Sequence, residues 1–419
     1  MTAQTNEFTL AKTVLDDIAA MSPDTEGVSR PAFSEVETRA LDYLADFARA
    51  QGLHVETDAG QNRIFCLPEH RDAKRYVLVG SHVDTVPHGG NCDGLAGVLA
   101  GLLCLIRARD AGTPLPRPVK AIAMRGEESA WFGPCYIASK CLTGTLPDAE
   151  LAATHRDDGR TLGDHMADVG VEMDGVRAHR PLMALDEILE YIELHIEQGP
   201  LLIEKNLPAA VISGIRGNIR HRRVRCTGEA GHSGAVPRAY RRDPVLAMAD
   251  LFMRLDESWL TIVQKGDDLV LTAGIVATDP ADHAMTRIPD KVDFSLDIRS
   301  QSAAVLDQMR ALLTDEMRQI ERERKVRFDP GPEMLTRPAL MDAGVVQGLS
   351  DAMGRMGMKP FVMPSGGGHD AAVFANAGVP AGMVFVRNQG GSHNPKETME
   401  IDDFLVGVSI ISEHLARAG

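Results

Sequence analysis

The pattern of apolar and polar positions in the first half of the chain predicts buried strands that alternate with helices. The strands are short, nearly uninterrupted apolar runs, while the helices show apolar residues at intervals of three and four. Such an alternation is typical of an α/β fold with a mixed, mostly parallel sheet flanked by helices. The predicted strands are 53–57, 63–67, 76–80 and 119–124, and the predicted helices are 7–20, 34–50 and 95–109.

The pattern changes near residue 211. Apolar and polar residues now alternate as they do in half-exposed antiparallel strands, at 211–214, 220–227, 269–278 and 291–299. Helices are predicted at 243–259 and 303–324. We therefore expect a smaller α+β domain at 211–325, inserted into a larger domain formed by 1–210 and 326–419. The last part returns to short strands at 359–363 and 381–386 and to helices at 340–356, 369–377 and 401–417.

Composition narrows the class of protein. The 419 residues are 44% hydrophobic and carry a formal net charge of −15, which is typical of a globular protein and argues against nucleic acid as the main partner. No apolar run approaches the ~18 residues of a membrane span, and the first residues do not resemble a secretory signal. Six cysteines lack CxxC spacing, as expected for reduced thiols in the cytoplasm.

The most informative stretch is Gly80 to Gly94, GSHVDTVPHGGNCDG, which follows a buried strand and precedes a helix. It offers one histidine, His82, and two carboxylates, Asp84 and Asp93, at the kind of strand end where α/β proteins build their sites. Histidine with carboxylate suits a borderline divalent ion such as zinc, manganese, cobalt or nickel. The stretch therefore predicts the start of a metal site, with Asp84 placed to support His82 by a hydrogen bond.

Other strand ends carry similar residues. The strand at 119–124 runs into Glu127 and Glu128, and Tyr191 to Pro200, YIELHIEQGP, ends a strand with His195. Taken alone, a pair of adjacent glutamates is most often exposed to solvent. A histidine on a strand is most often a core residue whose hydrogen bonds are made within the protein. Two Gly-rich loops follow, SGGGHD at 365–370 and GGSHNP at 390–395, and the second contains His393. Five residues are therefore expected at one face and would suit two divalent ions: His82, Asp93, Glu128, His195 and His393.

The motifs together resemble one family. GSHxDTVPxGGxxDGxxG, the Glu-Glu pair followed by FG, LHIEQGP, GHSG, SGxGHDA and SHNPxE occur in this order from about residue 35 onward. They are similar to the hydantoinase/carbamoylase-type amidases, which belong to the dinuclear aminoacylase, aminopeptidase and carboxypeptidase-G-like metallohydrolases. The resemblance implies a zinc-exopeptidase-like catalytic domain, two divalent metal ions, and a homodimer formed through the inserted lid or dimerisation domain.

The resemblance also implies residue roles. Asp93 would bridge the two ions. His82 and Glu128 would bind different ions, and His195 and His393 would complete the ligands of the two ions. Glu127 would be the general base toward a metal-activated water. The implied catalytic residues also include Asp84, which supports His82, and His232, which would stabilise the oxyanion from the partner of the dimer. The implied substrate-binding residues are Gln198, His232, Thr286, Arg299, Gly367 and His369.

The chain departs from the family pattern at the substrate. Thr286 stands where relatives have an asparagine thirteen residues before Arg299, and Trp131 stands where they often have an arginine. Arginines 216, 220, 222 and 223 are interpreted either as a solvated strand face or as a second anchor for a more acidic substrate.

The sequence therefore predicts an amidohydrolase that cleaves the linear C–N bond of a small anionic N-carbamoyl-L-amino acid or ureido acid. Two enzymatic alternatives stay open: an allantoate or ureidoglycolate amidohydrolase, and an aminoacylase- or peptidase-like amidase. A non-catalytic binding protein on the same scaffold is a further alternative, which the intact Glu127–Glu128 pair disfavours.

Overall fold

The structure is a computed structural model that describes residues 3–112 and 114–417. The chain forms two compact units. Unit one contains Met1–Ser213 and Leu340–Gly419, and unit two contains Gly214–Ala339. Among the described residues, no helix has both the length and the apolar character required to cross a bilayer.

The first segment of unit one alternates helices and strands, as the sequence predicts. Its helices are α1 (Ala3–Met21), α2 (Glu35–Ala50), α3 (Leu95–Ala111), α4 (Ile137–Thr143), α5 (Asp148–Leu151), α6 (Leu162–Asp168), α7 (Met173–Arg177) and α8 (Leu201–Lys205). Its strands are β1 (His54–Thr57), β2 (Arg63–Cys66), β3 (Tyr76–His82), β4 (Val119–Met124), β5 (Ile188–Ile196) and β6 (Ala209–Ile215).

Unit two and the returning segment follow in the chain. Unit two contains the strands β7 (Gly217–Thr227), β8 (Gly231–His232), β9 (Val270–Thr272), β10 (Val276–Ala277), β11 (Arg287–Ile288), β12 (Lys291–Ser300), β13 (Arg327–Asp329) and β14 (Glu333–Thr336), and the helices α9 (Pro244–Gln264) and α10 (Ala303–Arg324). After β15 (Ala339–Leu340) come α11 (Ala343–Arg355), β16 (Val362–Ser365), α12 (Asp370–Asn376), β17 (Ala381–Val386), β18 (Asn388–Gln389), β19 (Thr398–Met399) and α13 (Ile401–Leu415).

The sheet of unit one has parallel strands at its centre. Its order is β1-β2-β4-β3-β5-β17-β6-β15, with β16 paired to β6. The pairs β3–β4, β3–β5 and β5–β17 are parallel, whereas β1–β2, β2–β4 and β17–β6 are antiparallel. The predicted fold class, a mixed sheet with a parallel centre, is thus confirmed. Because β4, β3, β5 and β17 are adjacent and parallel, their carboxyl ends meet at one edge.

Helices cover both faces of this sheet. On β5, Ile192 and Leu194 belong to the main apolar core, which also contains the fully buried face of α3. The intervening residues of β5 point the other way, where Tyr191 stacks on Phe374 of α12 at a ring distance of 4.2 Å. Strands buried on both faces explain why the sequence shows apolar runs rather than alternation here.

In unit two, the sheet is antiparallel and has helices on one face. Strand β7 pairs with β12, β13 and β14, and the core joins alternate residues of β12, such as Phe294 and Ile298, to α9 and α10. The unit ends at Ala339, whereas the sequence led us to expect a return near 326. The reason is that β13 and β14 continue the β7 sheet, a pairing that their own short sequences do not specify.

Two further expectations differ from the structure. Residues 269–278 form two short strands, β9 and β10, separated at 273–275, instead of one strand. Ser34 and Glu37 have the spacing that predicts a capping box at the start of α2, and Ser34 does accept a hydrogen bond from Glu37 N at 3.2 Å. The carboxylate of Glu37 is instead buried against Arg125, with Nη1 to Oε2 at 2.6 Å.

Glu190 on β5 predicts an acid-sensitive contribution to stability. It accepts hydrogen bonds from Arg117 at 2.7 Å and is 2.9 Å from His414 Nε2 at the end of α13. Although burial alone would raise it, these two partners lower the pKa of Glu190 from 4.5 to about 2. A carboxyl with a lowered pKa stabilises the fold above its unfolded pKa and loses that contribution as the pH falls.

We therefore expect Glu190→Gln to reduce the free energy of unfolding by roughly 2 kcal/mol at pH 7. The difference from wild type should shrink as the pH falls through 4.5 toward about 2. Urea unfolding of both proteins across this range measures it. Asp186→Asn, a change at an exposed carboxylate four residues earlier, is the control and should leave the free energy of unfolding close to that of wild type. A constant difference at every pH would contradict the assignment.

Candidate metal centre

The carboxyl ends of the four parallel strands bring the predicted residues of unit one together. His82 is the last residue of β3, and His195 is the penultimate residue of β5. Glu127 and Glu128 follow β4, and His393 lies in the loop after β17. All except His393 are buried, whereas 52% of the His393 side chain is exposed. The cluster is thus open on the side of His393.

Asp93 lies at the middle of this cluster. Its Oδ1 is 2.9 Å from His195 Nε2 and 3.6 Å from His82 Nε2. Its Oδ2 is 3.5 Å from His393 Nε2, which is 3.3 Å from Glu128 Oε1. Two groups with metal-ligand geometry result, and Asp93 belongs to both: His82, Asp93 and His195 in one, and Asp93, Glu128 and His393 in the other.

Backbone contacts set the orientation of both buried imidazoles. His82 Nδ1 is 3.1 Å from the carbonyl oxygen of Asp84, and His195 Nδ1 is 3.0 Å from that of Ile196. A carbonyl oxygen only accepts, so each Nδ1 carries the hydrogen. Each Nε2 is therefore the ring nitrogen that faces Asp93, and in the neutral imidazole it carries the lone pair that a metal ligand needs.

Asp84 positions the two adjacent glutamates. Its Oδ1 accepts from Glu127 N at 2.9 Å and its Oδ2 accepts from Glu128 N at 3.0 Å. Its Oδ1 also lies 3.3 Å from His82 Nδ1. Glu37 accepts from Gly126 N at 2.9 Å. The turn after β4 is thus held from two sides by buried carboxylates.

Sequence reasoning missed Glu397. This residue is buried and accepts from Asp93 N at 3.1 Å and from Ser392 Oγ at 2.8 Å. Ser392 Oγ in turn lies 2.9 Å from Asp93 Oδ2, and Gln198 Nε2 donates to the same oxygen at 2.8 Å. The final glutamate of the SHNPxE motif was the signal available for it. These contacts fix the Asp93 carboxylate between the two groups.

The electrostatics are those of a buried anionic site. Burial raises the pKa of Glu127 well above the ordinary glutamate range. Although burial alone would raise it, contact with His195 and His82 lowers the pKa of Asp93 well below its usual value. The hydrogen bond with Glu128 raises the pKa of His393 to about 9. Protonation of His393 thus balances part of the negative charge that bound cations would otherwise balance.

Two glycines are needed for close approaches at the site. A Cβ on Gly94, which has a φ of +66°, would lie 2.4 Å from the His82 ring. A Cβ on Gly368 would lie 1.6 Å from the Tyr136 hydroxyl. Both distances are far shorter than atoms tolerate, so the glycines let the chain pass directly against these side chains.

The predicted substrate residues of unit one occupy different places. Gly367 lies next to Gln198, since a Cβ there would be 2.6 Å from Gln198 Oε1. The His369 ring is buried, with its centroid 4.3 Å from that of His195 and its Nε2 2.9 Å from Ser365 Oγ. Its side chain therefore packs against the His195 ring. This leaves the backbone of His369, rather than its ring, to line a substrate pocket.

The remaining predicted substrate residues lie in unit two. His232 and Arg287 are register partners of β8 and β11, and Ser233 N donates to the Thr286 carbonyl at 2.8 Å. Thr286 and His232 are thus neighbours. Arg299 on β12 donates to Asp297 through Nη2 at 2.7 Å. Its register partner on β7 is Asn218, which sequence reasoning missed because cross-strand register is not visible in the chain.

Two of the four arginines at 216–223, together with Arg225, have carboxylate partners within unit two. Arg216 binds Asp268 at 2.6 Å, Arg220 lies 3.2 Å from Asp297, and Arg225 binds Asp293 at 2.7 Å. These pairs favour the interpretation of this stretch as a solvated strand face over a second substrate anchor.

The residues of the centre fit divalent cations. Imidazole nitrogens and carboxylate oxygens are the ligands of zinc and its neighbours. The Nε2 atoms of two imidazoles face one oxygen of Asp93, while a carboxylate and an imidazole face the other. Such a shared carboxylate suits two ions a few ångströms apart.

The chain is similar to several known proteins along most of its length. Residues 78–417 match the family described as peptidase family M20/M25/M40. An N-carbamoyl-L-amino acid amidohydrolase from Geobacillus stearothermophilus is 35% identical over 92% of each chain. An allantoate amidohydrolase from Escherichia coli is 33% identical over 87% of this chain and 86% of its own. The crystal structure of a hydantoinase/carbamoylase family amidase from Burkholderia multivorans superposes with a TM-score of 0.86 at 26% identity, covering 98% of this chain and 97% of the other.

Proposed function

Because this chain belongs to peptidase family M20/M25/M40, and is a metallo-amidohydrolase acting on C–N bonds other than peptide bonds, we propose that it hydrolyses an N-carbamoyl-L-amino acid. The reaction adds water to the carbamoyl carbon and breaks one of its two bonds to nitrogen. The carbamic acid that remains then loses carbon dioxide, so the overall products are the amino acid, ammonia and carbon dioxide. The similarity to the Geobacillus amidohydrolase supports this substrate class.

The observation that carries the proposal is the position of Asp93 between two ligand groups. Oδ1 faces His82 and His195, and Oδ2 faces His393 beside Glu128. We propose that Asp93 would be shared by two ions, with His82 and His195 holding one of them and Glu128 and His393 holding the other. Zinc is the ion we expect, and manganese, cobalt and nickel share the same ligand preferences.

Two bound divalent ions supply Lewis acidity that polarises the substrate carbonyl and lowers the pKa of a water molecule. Glu127 is the general base of the proposal. It lies beside the ligands, with Oε2 4.0 Å from His82 Nε2, but in neither ligand group. Its backbone N–H donates to Asp84, which fixes the position of the backbone from which the carboxylate extends. It takes a proton from water and returns one to the departing nitrogen.

Residues of unit two are proposed to bind the substrate and to stabilise the oxyanion. His232 Nδ1 accepts from Gly234 N at 3.2 Å, which leaves the hydrogen on Nε2 as a donor for a developing oxyanion. As the family resemblance implies, we propose that His232 acts in the partner's site of a homodimer. Arg299 is assigned to the substrate carboxylate, because a guanidinium grips a carboxylate through two parallel hydrogen bonds.

Asn218 is a candidate to replace the asparagine that relatives have at the position of Thr286. It lies opposite Arg299 in the β7–β12 register, so both side chains project from the same face of the sheet. That face is opposite to the core residues of β12. We propose that this amide, together with Thr286, replaces the asparagine contact.

The cytoplasm is the proposed location, in keeping with six unpaired thiols along the described chain.

A ureido acid of the allantoate type is the second candidate. The relative from Escherichia coli, which is named an allantoate amidohydrolase, is 33% identical to this chain. The two substrate classes share the carboxylate and the ureido group, so the metal centre alone does not separate them.

A substrate panel tests the proposal. Enzyme reconstituted with Zn²⁺ or Mn²⁺ is offered N-carbamoyl-L-amino acids, allantoate, ureidoglycolate and N-acetyl amino acids, and ammonia and amino acid release are measured. We expect kcat/KM to be highest for an N-carbamoyl-L-amino acid. Preference for allantoate would support the second candidate, and turnover of the N-acetyl compounds alone would refute both.

Variants of Arg299 test whether this residue binds the substrate carboxylate as proposed. We expect Arg299→Gln to raise KM at least about tenfold, with kcat less affected, and Arg299→Lys to recover part of the loss. Arg222→Gln, at an exposed position of the neighbouring strand, is the control and should change neither constant.

A further inference from the structure

We propose that His155, Asp158 and His165 form a third transition-metal site, separate from the centre around Asp93. His165 Nε2 lies 3.1 Å from Asp158 Oδ2. His155 Nδ1 lies 3.7 Å from Asp158 Oδ1 and accepts a hydrogen bond from Asp157 N at 3.3 Å, which a bound ion would replace. One potential ligand atom from each of the three residues falls within 4.8 Å of the others. Two imidazoles and one carboxylate select Zn²⁺, Co²⁺ or Ni²⁺ over Ca²⁺ or Mg²⁺, which prefer all-oxygen ligands.

The backbone holds the three ligands in place. Thr154 and Thr161 form an isolated bridge that closes the turn containing His155 and Asp158. Asp158 Oδ1 accepts from Arg160 N at 2.9 Å, which fixes one oxygen and leaves Oδ2 facing His165. Thr161 caps α6 with a capping box, and His165 lies one helical turn later. The ligands therefore come from one short, internally bonded stretch of chain.

Aromatic side chains restrain the two imidazoles. The Trp131 ring stacks on His155 at 5.7 Å and 5°, and the Phe132 edge contacts both His155 and His165 at 5.0 and 5.1 Å. Only 10% of the His155 side chain and 14% of the His165 side chain are exposed. Restrained rings lose little freedom when an ion binds.

A cleft leaves one side of the cluster accessible. All three residues line a cavity of about 630 Å³, together with Phe33, Arg63 and other residues of unit one. Three protein ligands with an open side match the geometry of an exchangeable zinc site completed by water. Trp131 also donates from Nε1 to the Thr85 carbonyl at 2.7 Å. The site is thus packed against the segment that follows Glu127 and Glu128.

Trp131 provides a readout that does not depend on activity. The chain has two tryptophans, so in a Trp259→Phe background Trp131 is the only indole. Ni²⁺ quenches a nearby indole, and we expect part of the quenching of Trp131 during a Ni²⁺ titration to come from this site. In His165→Gln and Asp158→Asn, both of which keep His155 stacked on Trp131, that part should be lost or shifted to at least about tenfold higher Ni²⁺ concentration.

Metal content gives the second measurement. Full-length protein is stripped with chelator, reloaded with Zn²⁺ and analysed after removal of excess ion. Wild type should retain one Zn²⁺ per chain more than either variant, at equal far-UV circular dichroism. His179→Gln, which alters an exposed histidine paired with Asp148 at 3.4 Å, should match wild type. Equal zinc content and equal quenching in wild type and in either variant would overturn the proposal and leave an ion-pair cluster only.

Discussion

Glu127→Gln is expected to reduce kcat by at least about a hundredfold, and up to ten-thousandfold, while both ions stay bound. The amide keeps the size of the side chain and the hydrogen bond from Glu127 N to Asp84, but it has no basic oxygen to accept a proton. A hundredfold loss corresponds to about 2.7 kcal/mol of transition-state stabilisation. Steady-state kinetics on the best substrate, together with metal analysis of the same preparation, measures both quantities.

Glu128→Gln is the matched control for that experiment, because the two glutamates are adjacent in the chain and held by the same Asp84. Only Glu128 belongs to a ligand group, at 3.3 Å from His393 Nε2. We expect Glu128→Gln to lose one ion as well as activity. A metal-loaded Glu127→Gln enzyme that turns over at a near-normal rate would rule out Glu127 as the base.

Asp93→Asn is expected to remove both ions of the centre and to reduce kcat by at least about a thousandfold, because two-ion stabilisation of the reacting oxygens disappears. Asp93 is the one residue that both ligand groups share. An amide has a single neutral oxygen, so it cannot bridge two cations. The measurements are zinc content after reloading and ammonia release from an N-carbamoyl-L-amino acid.

The third-site proposal makes this experiment more specific. If both proposals hold, Asp93→Asn retains the single ion bound by His155, Asp158 and His165. Asp24→Asn, which changes a carboxylate paired with His88 at 3.3 Å outside the centre, should keep full metal content and activity. Retention of both ions and of turnover in Asp93→Asn would show that the carboxylate does not bridge.

The local pattern of apolar and polar residues predicted the positions of most helices and strands. The strands β4 and β17 and the helix α10 occupy the residues that apolar runs and helical spacing predict, because each is specified by its own neighbours in the chain. Where an element depends on a distant partner, the prediction was less accurate. β13 and β14 belong to unit two because they pair with β7.

The candidate residues of the metal centre were available from the sequence, whereas several supporting contacts were not. Glu397 is more than three hundred residues from Asp93 and binds its backbone N–H. Glu37, predicted only as part of a helix cap, holds the turn before Glu127. The His155–Asp158–His165 cluster lies within eleven residues, but the sequence shows it only as a polar loop, because the ring orientations depend on Trp131 and Phe132.

The sequence by itself determined the fold class, the amidase family and the set of histidines and carboxylates at strand ends. It did so because strand burial and motif order are properties of contiguous residues. Only the tertiary structure decided that Asp93 faces two ligand groups, which residues orient it, and that Asn218 lies opposite Arg299. Those facts depend on the order and register of paired strands, which join residues far apart in the chain and therefore leave no local pattern.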